Sequence, residues 1–372
     1  MSDKQFLTML LYIGVIGLAV LLAWVASRCA PKRPVLARIL LALSFLPVPV
    51  IAMLRLDVGT DYRMYVAIVS QMGEISGLDY VINGFRGIEP ATYLVSVLSG
   101  AIGGAPLYFF IFSAVTIIFL YLGIMRLKPP HKYLLYFVIL LILIPMSFNG
   151  VRQAAAISIL FYATVRLIDT RRYGHFLIIS LVAAAFHISA IVFVLIAGVY
   201  KFLTYKKSRR SLRHLVVVYL VMLLSIGGLA VLFNSYGQYI PILDKYTANN
   251  AALEQASNRM SYVYIFIFMI LVARYRSINA SYKYAPYLYT MAALGLIFTL
   301  VGFISEYLKR FALFFVPYNY ILLVYLSYTA NSSRFRKLLF MALLGYGLLY
   351  FVGIYFILGH SEVDVYTFIF TQ

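Results

Sequence analysis

Apolar runs of membrane-spanning length recur along the whole chain, separated by short polar stretches. They cover residues 6–27, 35–54, 106–125, 133–148, 152–168, 214–233, 262–273, 285–303, 311–328 and 338–356. A helix needs roughly 20 apolar residues to cross a bilayer, and most of these runs come close. Three stretches break the rhythm. Residues 55–105 are mixed: helical spacing over 62–76, a turn-rich stretch over 77–87, and a short apolar helix over 89–102 placed in or on one leaflet. Residues 176–200 are apolar but have basic residues on both sides, which points to a re-entrant helical hairpin with His187 near its tip. Residues 234–261 are polar and rich in tyrosine. The pattern predicts an all-α, polytopic integral membrane protein forming a single membrane domain over residues 1–372. It would have about ten transmembrane helices plus the hairpin and short outer-leaflet helices.

Composition agrees with that reading. The chain is 63% hydrophobic and 12% charged, with a mean hydropathy of +0.92, whereas soluble domains carry about 25% charged residues. The first apolar run is too long for a signal-peptide core and is read as a retained span. A single Cys, Cys29, excludes an internal disulfide.

The formal net charge of +19 would suggest nucleic acid on a soluble protein. Its placement excludes that reading. Lys and Arg gather around 28–38, 126–132, 166–172, 201–213, 274–283 and 334–337, and of the 12 acids only Asp169 lies among them. Cytoplasmic loops of membrane proteins carry such an excess. The segments 55–105 and 234–261, both termini and the tail 359–372 then face outward, and the 33 tyrosines suit interfacial belts.

Arg152 is the residue this topology leaves most in need of a partner. It stands between two apolar runs, in Phe148-Asn149-Gly150-Val151-Arg152-Gln153-Ala154-Ala155-Ala156, with no acid near it in sequence. An intramembrane guanidinium is costly and tends to mark a functional site. The three alanines allow a neighbouring helix to come close. Its expected partner is an acid folded back from the first outer segment, such as Asp61, or a phosphate carried by substrate.

Arg55, Arg63, Arg259 and Arg310 also lie at outer boundaries, where planar guanidinium groups suit an anionic headgroup. Snorkelling at helix ends is the plainer account of them. Among the acids, Asp61 suits a general base or an arginine partner. Glu89, before Pro90, suits either catalysis or a helix N-terminus. Asp57 with Asp61 is a weak signal for a divalent cation. His187 is the only ionisable residue between His175 and Lys201 and suits proton transfer. No zinc-ligand spacing, phosphate-binding loop or dinucleotide fingerprint occurs, so no metal, cofactor or soluble nucleotide is expected.

Four motifs resemble one family. They are Gly59, Thr60, Asp61 and Tyr62 with Tyr65; Glu89-Pro90; the block from Asn149 to Ala156; and Phe186, His187, Ile188, Ser189 and Ala190. In order and spacing, over about 58–197, they are similar to the EpsG-like family of Wzy-type polysaccharide polymerases. The resemblance implies an enzyme of the bacterial cytoplasmic membrane, active on its extracytoplasmic face. It would transfer a growing glycan from undecaprenyl diphosphate to a sugar hydroxyl of a lipid-linked repeat unit, making exopolysaccharide, capsule or O antigen. Its substrate would be an undecaprenyl-diphosphate-linked oligosaccharide, and a flippase and a chain-length regulator are the partners to look for.

In that chemistry Arg152 and Arg310 would clamp the diphosphate, with Arg55, Arg259 or Arg63 assisting. Asp61, Glu89 or His187 would serve the acceptor hydroxyl, with no metal required. The rival readings are a glycosyltransferase using a polyprenyl-monophosphate sugar, a flippase for lipid-linked oligosaccharide, and a membrane acyltransferase with an intramembrane His.

Overall fold

The computed structural model describes residues 1–82, 87–193, 264–282, 284–303, 310–329 and 332–370, with isolated positions between 220 and 235. Arg259, the crossing expected over 214–233, the outer segment 234–261 and residues 194–200 of the expected hairpin lie wholly or mostly outside the described residues.

The described chain is all-helical, apart from an isolated antiparallel bridge between Arg55 and Phe368. Six helical segments are long and apolar enough to cross a membrane, and five shorter apolar helices accompany them. The expected ten crossings thus appear, among the described residues, as six spans of full length.

The described residues form two compact units, 1–197 with 341–372, and 198–340. In the first unit, α1 (Asp3–Cys29) opens on Ser2, whose hydroxyl and backbone form a reciprocal capping box with Gln5. The run 35–54 divides into α2 (Pro34–Ser44) and α3 (Pro47–Leu54), because Pro47 and Pro49 cannot continue the backbone hydrogen bonds of α2. The outer segment holds α4 (Tyr62–Gly73), α5 (Gly77–Ile82) and α6 (Pro90–Ile102). Then follow α7 (Gly104–Leu127), α8 (Lys132–Ser147), α9 (Val151–Thr170) and α10 (Tyr173–Phe186).

Helix α9 is the centre of this unit. Ala154, Ala155, Ala156, Ile157 and Ser158 are fully buried. Its neighbour α7 lies so close that a Cβ on Gly123 would stand 2.6 Å from the Phe161 ring. Small residues bring the two backbones together, as in lipid-embedded helix pairs. At one end of this pair Arg126 meets Asp169 across a 2.6 Å ion pair. The opposite end of α9 carries Arg152.

The tail after residue 358 folds back on the first unit. Leu56 N–H donates to Thr367 O at 2.8 Å and Ile369 N–H to Leu54 O at 3.0 Å. Tyr12 Oη donates to Val363 O at 3.0 Å and Tyr366 Oη to Ile51 O at 2.5 Å. The N-terminus of α1, the loop after α3 and the tail therefore share one end of the unit.

In the second unit, α12 (Tyr275–Ser281) and α13 (Ala285–Val301) pack with α14 (Val316–Tyr328), and α11 (Tyr264–Ala273) lies against α13. Tyr289 Oη donates to Leu271 O at 2.5 Å, and Phe298 stacks on Phe311 and Phe315. Helix α15 (Ser333–Phe351) begins in this unit; its part from residue 341 onward belongs to the first unit and continues as a π-helical stretch over Val352–Ile357, where Tyr355 Oη donates to Ile142 O of α8 within that same unit.

Candidate active site

The site is built where three backbone irregularities meet. Helix α8 ends after Pro145, and the turn Phe148-Asn149-Gly150 leads into α9, so Arg152 lies in the first turn of that helix. Helix α6 starts at Pro90, with the extended residue Glu89 before it. Helix α10 breaks at His187, where the backbone turns extended (φ −156°, ψ 118°), and a short 3-10 turn Ile188–Ile191 follows.

Glu89 joins the three. Its Oε2 accepts from Arg152 Nη1 at 2.5 Å. Its Oε1 lies 3.1 Å from His187 Nδ1 and accepts the Ile188 N–H at 3.3 Å. The last contact satisfies a backbone N–H beside the helix break. The side chains of Glu89, Arg152 and His187 are 10%, 17% and 27% exposed, so the cluster is shielded but reachable. Burial pushes the Glu89 carboxyl pKa up, but the hydrogen bond with His187 and the Arg152 charge outweigh it and leave the value below the ordinary one. Glu89 therefore stands as a carboxylate at neutral pH. With that carboxylate accepting at Nδ1, the His187 proton sits on Nδ1 and Nε2 is the basic nitrogen.

An acid of the first outer segment does fold back onto Arg152, and it is Glu89 rather than Asp61. Glu89 does occupy a helix N-terminus, yet its side chain makes no cap hydrogen bond to α6. Asp61 stands at the N-cap of α4; its N–H donates to Asn149 Oδ1 at 3.4 Å and its Oδ1 accepts from Thr60 Oγ1 at 3.5 Å.

Arg55 is 1% exposed and lies between rings, its Cζ 4.0 Å from the Phe109 centroid and 4.6 Å from that of Phe148. Its Nη1 donates to Phe148 O at 2.7 Å and Val58 O at 3.4 Å. This guanidinium fixes the turn before Arg152 and has no open face for a headgroup. Arg63 forms a two-nitrogen pair with Asp57 at the surface. Arg310 begins the 3-10 turn Arg310–Phe315 of the second unit.

The turn residue Asn149 is a hub that residue-by-residue reading passes over. Its Oδ1 receives the Asp61 N–H, its Nδ2 donates to Ser361 O at 3.0 Å, and its carbonyl accepts from Tyr65 Oη at 2.7 Å. The Tyr65 ring in turn lies 5.9 Å from Arg152 Cζ. An amide beside a glycine at a span boundary is the signal that could have found it. Nothing local in the sequence announces Ser361 as its partner. Among the described residues no group of His, Cys, Asp and Glu could hold a metal ion.

The EpsG family model matches residues 38–368, nearly the whole chain and well beyond the stretch 58–197 that carries the motifs. The chain belongs to the EpsG family. No curated protein and no solved structure matches it.

Proposed function

We propose that this membrane protein is a polysaccharide polymerase acting on undecaprenyl-diphosphate-linked repeat units at the extracytoplasmic face of the bacterial cytoplasmic membrane. The observation that carries the reading is Glu89 bridging Arg152 and His187. A cation for a leaving phosphate and a base for an attacking hydroxyl are thereby set on the two sides of one carboxylate.

The acceptor sugar hydroxyl attacks the anomeric carbon of the growing glycan. A new glycosidic C–O bond forms as the C–O bond to the diphosphate breaks. The hydroxyl proton passes to His187 Nε2, and the Glu89 carboxylate holds Nδ1–H and stabilises the imidazolium. Undecaprenyl diphosphate departs with the bonding electrons, and Arg152 stabilises the charge developing on it. The buried surroundings strengthen that interaction relative to water. A flippase delivering the repeat units and a chain-length regulator would act before and after this step.

The test is a purified-protein assay with the authentic diphosphate-linked repeat unit, read as a product ladder. Wild type yields the ladder. Arg152→Ala lowers the rate by about 10²–10³, the cost of removing one oxyanion-stabilising group. Normal chain lengths at a normal rate from Arg152→Ala would refute the assignment. A ladder formed only with a monophosphate-linked single sugar would move the protein to the monophosphate class of transferases.

A further inference from the structure

One groove near the site has no role in the chemistry above. It has a volume of about 510 Å³ and is lined by Leu56, Asp57, Tyr62, Arg63, Val66 and Thr367. That falls within the size range of small-molecule sites, about 300–1,000 Å³. The returning tail supplies one wall, since Leu56 N–H donates to Thr367 O at 2.8 Å.

The pair in this groove is an unusual surface ion pair. Asp57 holds a left-handed backbone (φ 51°), a conformation uncommon for residues other than glycine. Both its oxygens meet Arg63 Nε, at 2.9 Å and 3.2 Å, and Oδ2 also meets Nη2 at 2.5 Å. The side chains nevertheless stay open, Asp57 at 47% and Arg63 at 84% exposed. The result is a planar unit, neutral overall, with acceptor lone pairs and N–H donors side by side.

A phosphate headgroup would have to compete with Asp57 for the guanidinium. A polyol gains from both halves, because each hydroxyl can donate to the carboxylate and accept from the guanidinium. Val66, exposed on α4, supplies apolar surface for the C–H face of a ring, with the edge of the mostly buried Tyr62 beside it. On α4, Tyr62 lies one helical turn from Tyr65, the residue beside Arg152. The groove and the residue beside Arg152 are thus carried by the same helix.

We infer that the Asp57–Arg63 groove is a glycan subsite that binds a sugar ring of the lipid-linked oligosaccharide, set apart from the diphosphate held at Arg152. The inference rests on the polymerase reading for the identity of the glycan, but its test does not need turnover.

The probe is the repeat-unit oligosaccharide released by mild acid from the host's own lipid-linked pool. Its equilibrium binding to purified protein in detergent is measured for wild type, Asp57→Asn, Arg63→Gln and the double variant, each first shown to keep the wild-type unfolding temperature within a few degrees. Asparagine tolerates the left-handed backbone at position 57, so that variant keeps the loop. The expected result is binding to wild type that weakens about tenfold or more in each single variant, the range for losing charge-assisted hydrogen bonds. Bare undecaprenyl diphosphate should bind all groove variants as it binds wild type. Unchanged oligosaccharide binding in the double variant, or no binding to wild type, overturns the inference. Selective loss of undecaprenyl diphosphate binding overturns it as well, and makes the groove a headgroup site. The polymerase reading fails separately, through the absence of a product ladder from wild type.

Discussion

Glu89 and Arg152 stand 63 positions apart in sequence and form a 2.5 Å ion pair that is mostly withdrawn from water. The same carboxylate holds His187, so one acid sets the position of two functional groups. Replacing Glu89 by glutamine removes the charge but keeps the shape. It leaves Arg152 with an uncompensated charge in a shielded place, a loss of about 3 kcal/mol by analogy with broken buried pairs. The expected outcome is a lower unfolding temperature in detergent and a fall in the polymerisation rate. A Glu89→Gln protein as stable and active as wild type would contradict the arrangement described above.

The same carboxylate fixes the sign of a pH effect. Its folded-state pKa lies below the ordinary carboxylate value, with burial opposing and the His187 and Arg152 contacts outweighing it. Its contribution to stability is therefore complete above the unfolded value, about 4.3. It is lost as pH falls through the folded value. Thermal unfolding of wild type and Glu89→Gln should differ by a constant amount at neutral pH, and the two curves should converge under acid. A difference that grows as pH falls would show the shift to be of the opposite sign.

Gly59 tests how Asn149 is held. Its φ of +94° is rare for residues with a Cβ, and an added Cβ would stand 2.5 Å from Asn149 Oδ1. Its N–H also donates to Glu362 O at 3.1 Å. Gly59→Ala must therefore strain the loop and displace the amide that receives the Asp61 N–H. We expect a loss of about 1–3 kcal/mol in stability, the usual cost of such backbone strain, with reduced polymerisation. Differential scanning fluorimetry beside the ladder assay reads both. A fully active and equally stable Gly59→Ala would mean that the loop relaxes freely.

Much of this arrangement was legible in the sequence because isolated charges in apolar sequence need partners. Arg152 and His187 stood out on that ground, Glu89 was open between a catalytic acid and a helix N-terminus, and the alanines after Arg152 foretold the close packing of α9. The pairing itself was not legible. Asp61 and Glu89 are both acids of the same outer segment, and only the turn at 148–150 and the break of α10 decide which reaches Arg152. Arg55 was read from its place at a helix end, where an arginine is usually open to phosphate. Nothing in its neighbours in sequence reveals Phe109 and Phe148 closing over it. The helix boundaries 35–54 and 311–328 were softer still, because proline breaks a helix locally without ending the apolar run that the bilayer sees.

Arg55 separates a positioning role from a phosphate-binding one. It is 1% exposed, and its Nη1 bonds go to backbone carbonyls. Arg55→Met keeps the volume between the two rings but leaves the carbonyls of Phe148 and Val58 without this donor. A buried group without its partner costs about 1–3 kcal/mol. We expect a less stable protein whose inhibition by bare undecaprenyl diphosphate is unchanged. If inhibition weakened several-fold while stability held, Arg55 would be a diphosphate ligand after all.

The tail offers the last test, because it holds the turn and the loop beside Arg152 through backbone acceptors. Ser361 O accepts from Asn149 Nδ2, Glu362 O from the Gly59 N–H and Thr367 O from the Leu56 N–H. Deleting residues 359–372 removes all three acceptors together with the Tyr366 bond to Ile51 O. Each lost bond costs about 1 kcal/mol where water can replace the partner. The helices do not depend on them, so the shortened protein should still insert in the membrane and retain its helical circular dichroism. Its unfolding temperature should fall, and its polymerisation rate should fall further than Tyr366→Phe alone brings about. That ordering follows from geometry: Tyr366 touches α3, whereas Ser361 and Glu362 touch the turn and loop beside Arg152. If Tyr366→Phe and the deletion were equally active, the tail would be a cover for α3 and not a support of the site.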